Sequence, residues 1–182
     1  MKQLRLFFAI DLPEHLKDSL LKQAQLDNEN IWRWTSKDNL HLTLEFIGST
    51  NEEDLAKIIR IGEQSCRGIN PFEIKIKYLC FGPEGKTAKR MVWAILEASE
   101  SLKNLKNSLE QNLTEEGIDF QIEKRKFQPH ITLARLKQGE IGPSYKYQKE
   151  FTTEFEAKEF LLIQSDLSSF GPKYSVIQNF PL

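Results

Sequence analysis

Two short stretches of this sequence share one pattern, and that pattern decides the fold. Residues 39–48 read NLHLTLEFIG, and residues 127–135 read FQPHITLAR. Each contains a histidine, an apolar residue, a threonine and another apolar residue, and His130 follows His41 by 89 residues. Successive side chains of a β-strand point to opposite faces, so the histidine and threonine share one face while the apolar residues face the core. The repeat therefore predicts two equivalent strands.

The segments around these strands alternate between strand and helix patterns. Strands are predicted at residues 4–10, 40–47, 72–81, 91–96 and 127–136, with short strand-like runs in 151–162 and 174–180. Helices are predicted from Pro13 onward, from an N-cap at Asn51 to Gly68, and from Ser99 to Glu116. A polar break is expected at residues 27–30 and a basic loop around Lys86. Because several strands alternate apolar and polar residues, the sequence predicts an α+β fold with antiparallel sheets, each with one packed and one open face.

The bulk composition limits the classes of function. With 182 residues the chain fits one domain or two closely packed lobes, and 25 basic against 26 acidic residues argue against a protein that grips long duplex nucleic acid. A small or terminal substrate stays open. Cys66 and Cys80 fit no metal spacing and predict free thiols in a reducing compartment. No stretch approaches the ~20 apolar residues of a membrane span. We therefore expect a cytoplasmic protein, by default a monomer, without a membrane partner.

The repeated residues suit the chemistry of a phosphodiester. In-line displacement needs a base for the nucleophile, an acid for the leaving oxygen and donors for the nonbridging oxygens. Two histidines and the threonines Thr43 and Thr132 supply all of these, and residues two apart on a strand lie about 6.5 to 7 Å apart, within reach of one phosphate. An imidazole pKa of about 6.5 suggests that one ring is neutral and the other protonated near neutral pH. The remaining histidine, His15, lacks the pattern.

These motifs and their flanks resemble those of the two-histidine (2H) phosphoesterases. Within that superfamily the chain is similar to the bacterial and archaeal RNA 2',3'-cyclic phosphodiesterases, the LigT-like family long called 2'-5' RNA ligases. The resemblance covers nearly the whole chain. Besides the two motif stretches it includes RLFFAIDLP at residues 5–13, QSDL at 164–167, GPKY at 171–174 and FPL at 180–182.

The resemblance implies a fold and a set of roles. The fold would be a single bilobal domain over residues 1–182, with two pseudo-symmetric lobes whose antiparallel sheets line a central cleft and whose helices lie outside. His41 would donate a proton to the leaving O3' and His130 would accept one from water, while Thr43 and Thr132 bind phosphate. The substrate would be an RNA end or nucleotide with a 2',3'-cyclic phosphate, with no metal and no cofactor.

The resemblance also assigns the nucleobase to two residues, Phe46 and Arg135. Each follows its histidine by five positions. Strict alternation along a strand would send both side chains to the face opposite the histidines, away from the predicted cleft. A bend at the end of each strand would reconcile the assignment with the pattern.

Three other functions compete with this interpretation. A metal phosphodiesterase would need ligand spacings such as HxxxH, which the sequence lacks. A noncatalytic module that holds nucleotides or RNA ends would tolerate replacement of either histidine, and both are present. Ligation of a 2',3'-cyclic end to a 5'-hydroxyl could use the same acid and base in reverse. The sequence does not separate hydrolase from ligase.

Overall fold

The computed structural model describes residues 2–24, 29–83, 89–123, 125–168 and 171–182. Lys86 of the expected basic loop and residues 27–28 of the expected polar break lie outside these ranges. The fold below is that of the described residues.

The strands form one continuous antiparallel sheet. Their bounds are β1 Gln3–Asp11, β2 Trp32–Trp34, β3 His41–Asn51, β4 Phe72–Gly82, β5 Met91–Leu96, β6 His130–Leu136, β7 Gln148–Ala157, β8 Glu159–Ser168 and β9 Gly171–Pro181. The order across the sheet is β7-β4-β5-β6-β3-β1-β8-β9, and β2 pairs with β6 beside this path.

Three helices cover one face of this sheet. They are α1 Glu14–Gln23, α2 Leu55–Ser65 and α3 Glu100–Glu115. Leucines of α3 recur at helical spacing and are fully buried, and the Ser99 hydroxyl accepts a hydrogen bond from the Leu102 amide at the helix start. The apolar stripes of the helices join the core-facing residues of the strands in one hydrophobic cluster. The opposite face of the sheet, which we call the open face, carries two smaller clusters.

The sheet consists of two halves that meet at the repeated motifs. We call β3, β1, β8 and β9 the first half and β6, β5, β4 and β7 the second half. They join through one residue pair, Leu42 of β3 with Ile131 of β6. Beyond this pair the strands separate, and β2 pairs with the far end of β6. At the fork Thr35 donates hydrogen bonds from its amide to the Leu133 carbonyl and from its hydroxyl to the Thr132 carbonyl.

The structure confirms the α+β class and the antiparallel, pseudo-symmetric architecture, and it corrects three details. The halves share one sheet, whereas separate sheets were expected. Residues 127–129 precede β6, because Pro129 has no amide hydrogen to pair and only its carbonyl is bonded, to Leu96. Asn51 makes no side-chain cap, because its Oδ1 accepts a hydrogen bond from Gln3; a short 3-10 turn intervenes and α2 begins at Leu55.

Candidate active site

The two motif strands have the same burial pattern over the six residues that begin with each histidine. In both, the histidine and threonine are half-buried, the apolar residues between and after them are buried, and the next position is buried as well. Two consecutive buried residues break the alternation, and the strand pairing shows why. Thr43 and Glu45 oppose neighbouring residues of β1, which leaves Leu44 as an extra residue; Leu133 is the extra residue in β6. Each motif therefore contains a β-bulge three residues after its histidine.

The bulges return Phe46 and Arg135 to the face of the histidines. Phe46 pairs with Phe7 and Arg135 pairs with Met91, and both partners lie on the open face. Phe46 is 57% exposed, and its ring lies 5.8 Å from that of Phe7. Strict alternation and the nucleobase assignment therefore no longer conflict, because one extra residue moves every later side chain of the strand to the opposite face.

Both imidazoles are held in the same orientation. His41 Nδ1 lies 2.8 Å from the Asn39 carbonyl oxygen, and His130 Nδ1 lies 2.8 Å from that of Gln128. A carbonyl only accepts, so each Nδ1 carries the hydrogen and each Nε2 is available for proton transfer. His41 Nε2 is 3.0 Å from the hydroxyl of Thr43. An antiparallel register through the Leu42–Ile131 pair also turns each histidine toward the threonine of the other motif.

Burial lowers the pKa of both histidines. It lowers the pKa of His41 to about 4, while the Asn39 carbonyl and the Asp11 carboxylate act in the opposite direction. Burial likewise lowers the pKa of His130, against the Gln128 carbonyl. In the free protein both rings are therefore neutral at pH 7, contrary to the expectation of one neutral and one protonated ring. The ring that serves as an acid must gain its proton when an anion binds.

The open face is concave around the histidines. Tyr174 lies on β9, three strands from β3, which would be about 14 Å away in a flat sheet. Its ring centroid is nevertheless 5.4 Å from that of His41. Arg135 of the second half is near enough to act electrostatically on both histidines and on Tyr174. The predicted site residues are thus brought together in one cleft, while His15 is exposed on α1.

Sequence reasoning missed the residues that pack against the imidazoles. The Phe7 ring lies 4.9 Å from that of His41, and the Trp93 ring lies 4.0 Å from that of His130. Asp11 stands directly opposite His41 on β1. The alternation of Phe7, Ala9 and Asp11 along β1 could have placed them on one face. The strand order is needed, however, to show that these residues of β1 lie beside the motif of β3.

Two further observations concern the whole described part of the chain. Within it, no three histidine, cysteine, aspartate or glutamate side chains are grouped as metal ligands would be. None of its helices has the length and apolar character that crossing a bilayer requires. Cys66 and Cys80 are not joined in a disulfide bond, in agreement with the sequence.

Comparison with known proteins identifies the family. The family described as "LigT like Phosphoesterase" matches residues 10–93 and 96–175, two segments that each contain one motif. The chain belongs to the LigT-like phosphoesterases. This confirms the resemblance seen in the motifs. The RNA 2',3'-cyclic phosphodiesterase of Methanocaldococcus jannaschii is 32% identical over 97% of this chain and 100% of its own length. The Bacillus subtilis protein of the same name is 30% identical over 97% of this chain and 95% of its own length.

Solved structures agree with this assignment. TT0787 of Thermus thermophilus superposes with a TM-score of 0.85 at 30% identity, covering 98% of this chain and 97% of its own. Escherichia coli LigT in complex with 3'-AMP superposes with a TM-score of 0.78 at 25% identity, covering 100% of this chain and 99% of its own. The antiparallel sheet and paired halves of this LigT-like phosphoesterase therefore recur in solved members of its fold.

Proposed function

We propose that this protein is a hydrolase that opens 2',3'-cyclic phosphates at RNA ends and leaves a 2'-phosphate. The observation that carries the proposal is the equivalent placement of two imidazoles in one cleft, each with Nδ1 on a backbone carbonyl and Nε2 available. The relatives named RNA 2',3'-cyclic phosphodiesterase, which match nearly the whole chain, support the substrate class.

In the proposed reaction the two histidines act on opposite sides of phosphorus. His130 Nε2 takes a proton from water as its oxygen attacks, and His41 Nε2 gives a proton to O3' as the P–O3' bond breaks. The phosphate stays on O2'. The hydroxyls of Thr43 and Thr132 donate to the nonbridging oxygens, which gain charge in the transition state. Afterwards His130 is protonated and His41 is neutral, and exchange with solvent restores the starting state.

The lowered pKa values make this reaction depend on substrate binding. A phosphate anion beside an imidazole favours the protonated ring and raises its pKa. Asp11, which also pairs with Lys17 at 2.9 Å, adds a second negative charge near His41; among the described residues no carboxylate acts on His130, where Ile95 stands opposite the ring. Burial lowers the pKa of His41 strongly, so the bound anion and Asp11 together have to offset that burial; we infer that they do, and that His41 then carries the proton as the acid.

The nucleobase has a surface on which to rest. Phe46 presents more than half of its ring to solvent beside Phe7, and Arg135 lies across the cleft with Nη1 3.2 Å from Met91 Sδ. We infer that the base lies between Phe46 and Arg135 through stacking and cation–π contact. Holding the base fixes which ribose oxygen faces His41, and this contributes to catalysis by orientation.

The deciding experiment uses purified protein and 2',3'-cyclic AMP, with and without excess EDTA. We expect hydrolysis in both conditions and 2'-AMP as the product by phosphorus NMR. Predominant 3'-AMP would reverse the roles of the histidines or the substrate's orientation. Loss of activity with EDTA, restored by a divalent ion, would contradict the mechanism.

The same preparation tests the two alternatives. Binding of 2',3'-cyclic AMP without turnover would indicate a noncatalytic module. Joining of a cyclic-ended oligonucleotide to a 5'-hydroxyl oligonucleotide faster than hydrolysis would indicate a ligase. Hydrolysis that outpaces joining under the same conditions supports the proposal.

A further inference from the structure

Two arginines face each other at the outer end of the cleft. Arg33 on β2 is directly opposite Arg135 on β6. The neighbours of Arg33 along the strand, Trp32 and Trp34, pack into the core, so Arg33 projects from the open face. Arg33 is exposed, and its charge adds to the burial that lowers the pKa of Arg135. The two guanidinium groups thus share one face of two paired strands.

This arginine pair is not compensated by acidic groups. Like charges directly opposite each other on paired strands destabilise a sheet. Glu73 and Glu156 also form such a pair, but each has a lysine partner. Lys75 lies 3.0 Å from the Glu73 carboxylate, and Lys158 lies 3.3 Å from the Glu156 carboxylate. Across the described residues, neither guanidinium of the arginine pair forms an ion pair with a carboxylate. The pair costs stability in the free protein and is suited to an external anion.

The anion best placed for Arg33 is not the one held by the motifs. Arg135 is three residues beyond Thr132, about 10 Å along the strand, and Arg33 is about 5 Å to its side. β2 lies in the fork where β3 and β6 separate, and it pairs with β6. Arg33 therefore stands farther from a phosphate bound by the motif threonines than the motif residues do, and a second phosphate of the same strand would lie nearer to it.

We propose that Arg33 binds the phosphodiester that joins the terminal nucleotide of the RNA to its 5' neighbour. This inference rests on the proposed function and adds to it a substrate class, an oligonucleotide with a cyclic end in preference to a cyclic mononucleotide. A guanidinium holds a phosphate through two parallel N–H···O bonds, and the adjacent Arg135 increases the local positive potential. The proposal requires the phosphate on the 5' oxygen of the terminal ribose to lie on the side of β2.

The test compares two substrates and three variants. The substrates are a 2',3'-cyclic nucleoside monophosphate and a dinucleotide with the same cyclic terminal nucleotide. Wild type should show a kcat/KM for the dinucleotide about tenfold higher, the size of one charged hydrogen-bonded contact. Arg33→Gln should lower kcat/KM for the dinucleotide about tenfold more than for the mononucleotide. Arg33→Lys should retain part of the preference.

Arg60→Gln is the matched control, because Arg60 is exposed on α2 and its removal changes the net charge equally. It should leave both substrates unaffected. The salt dependence gives a second readout, since losing one contact to a single strand should reduce the slope of log KM against log salt for the dinucleotide by about 0.7.

The outcomes separate this inference from the proposed function. No dinucleotide preference in wild type, equal losses on both substrates in Arg33→Gln, or no loss on either would overturn the role of Arg33. Failure of wild type to hydrolyse either substrate would instead overturn the proposed function. Loss of the dinucleotide preference only in the Arg33 variants, with folded protein by circular dichroism, supports the second phosphate site.

Discussion

The two halves of the sheet present the same backbone to the cleft but surround their histidines differently. Both have the bulge, the Nδ1–carbonyl bond and the threonine two residues after the histidine. On the neighbouring strand, however, Phe7, Ala9 and Asp11 of the first half are replaced by Met91, Trp93 and Ile95 of the second. The shared backbone places two identical side chains, and the neighbouring strand makes them unequal.

That difference teaches where the direction of the reaction is encoded. Two imidazoles in identical surroundings would have no reason to divide the roles of acid and base. In the proposed reaction the carboxylate opposite His41 favours its imidazolium, and the aliphatic side chain opposite His130 does not.

The largest expected effect comes from removing the histidines. His41→Ala and His130→Ala should each lower kcat on 2',3'-cyclic AMP by roughly 100- to 10,000-fold, as expected for a positioned acid or base. Bis(4-nitrophenyl) phosphate distinguishes them, because its leaving group departs without protonation. His41→Ala should lose far less activity on it than on the cyclic substrate, whereas His130→Ala should lose similar activity on both. The opposite pattern would exchange the two roles.

The threonines should matter less than the histidines. Thr43→Val and Thr132→Val each remove one hydroxyl donor to a charged oxygen, worth roughly 1.5 to 3 kcal/mol, or about 10- to 100-fold in kcat/KM. Thr43→Val should be the more harmful, because Thr43 also contacts His41 Nε2 at 3.0 Å. Steady-state kinetics on the cyclic nucleotide measures both. Near wild-type rates in both variants would show that the hydroxyls do not hold the phosphate.

Replacing Asp11 should act on one histidine only. Asp11→Asn should lower the pKa of His41 further and leave that of His130 unchanged, because the carboxylate stands opposite His41 alone. The titration of each imidazole is followed by NMR, and kcat should fall severalfold at most. Asp18→Asn is the control. Asp18 pairs with Lys37, and Lys37 also pairs with Glu14, the second partner of the Lys17 that pairs with Asp11. Equal shifts at both histidines would remove the asymmetry proposed here.

The smallest effect concerns stability against pH. A histidine whose pKa is lowered by folding binds a proton more readily when unfolded, so its contribution to stability is complete above pH 6.5 and is lost as the pH falls toward 4. The loss is at most about 1.4 kcal/mol per pH unit for one histidine. Urea unfolding between pH 7 and 5 should therefore show a smaller loss of stability in His41→Gln than in wild type. Parallel curves for the two proteins would contradict the burial of this ring.

Much of this molecule could be predicted from residue patterns, and the failures have physical causes. The α3 stripe and the alternation in β4 follow from local periodicity and needed no tertiary information. The bulges at Leu44 and Leu133 could not be derived in this way, because a bulge is visible only against the partner strand.

Within the site, the motif residues were found because they repeat. Arg33 and Asp11 were not, since each gains its meaning from the residue opposite it on another strand. The pKa values of the histidines were also misjudged. A sequence gives the reference value, whereas burial under Phe7 and Trp93 depends on packing.

The pairing of β1 with β8 has a consequence for the order in which the protein is made. Phe7 is opposite Ile163, so the first half of the sheet includes strands that leave the ribosome long after β3. At about 5 to 20 residues per second, the 122 residues from Leu42 to Ile163 take roughly 6 to 24 s to synthesise. Throughout that interval the edge of β1 that pairs with β8 has no strand beside it. The second half of the sheet is complete once β7 has been made. The histidine that is translated first is therefore the last to acquire its complete surroundings.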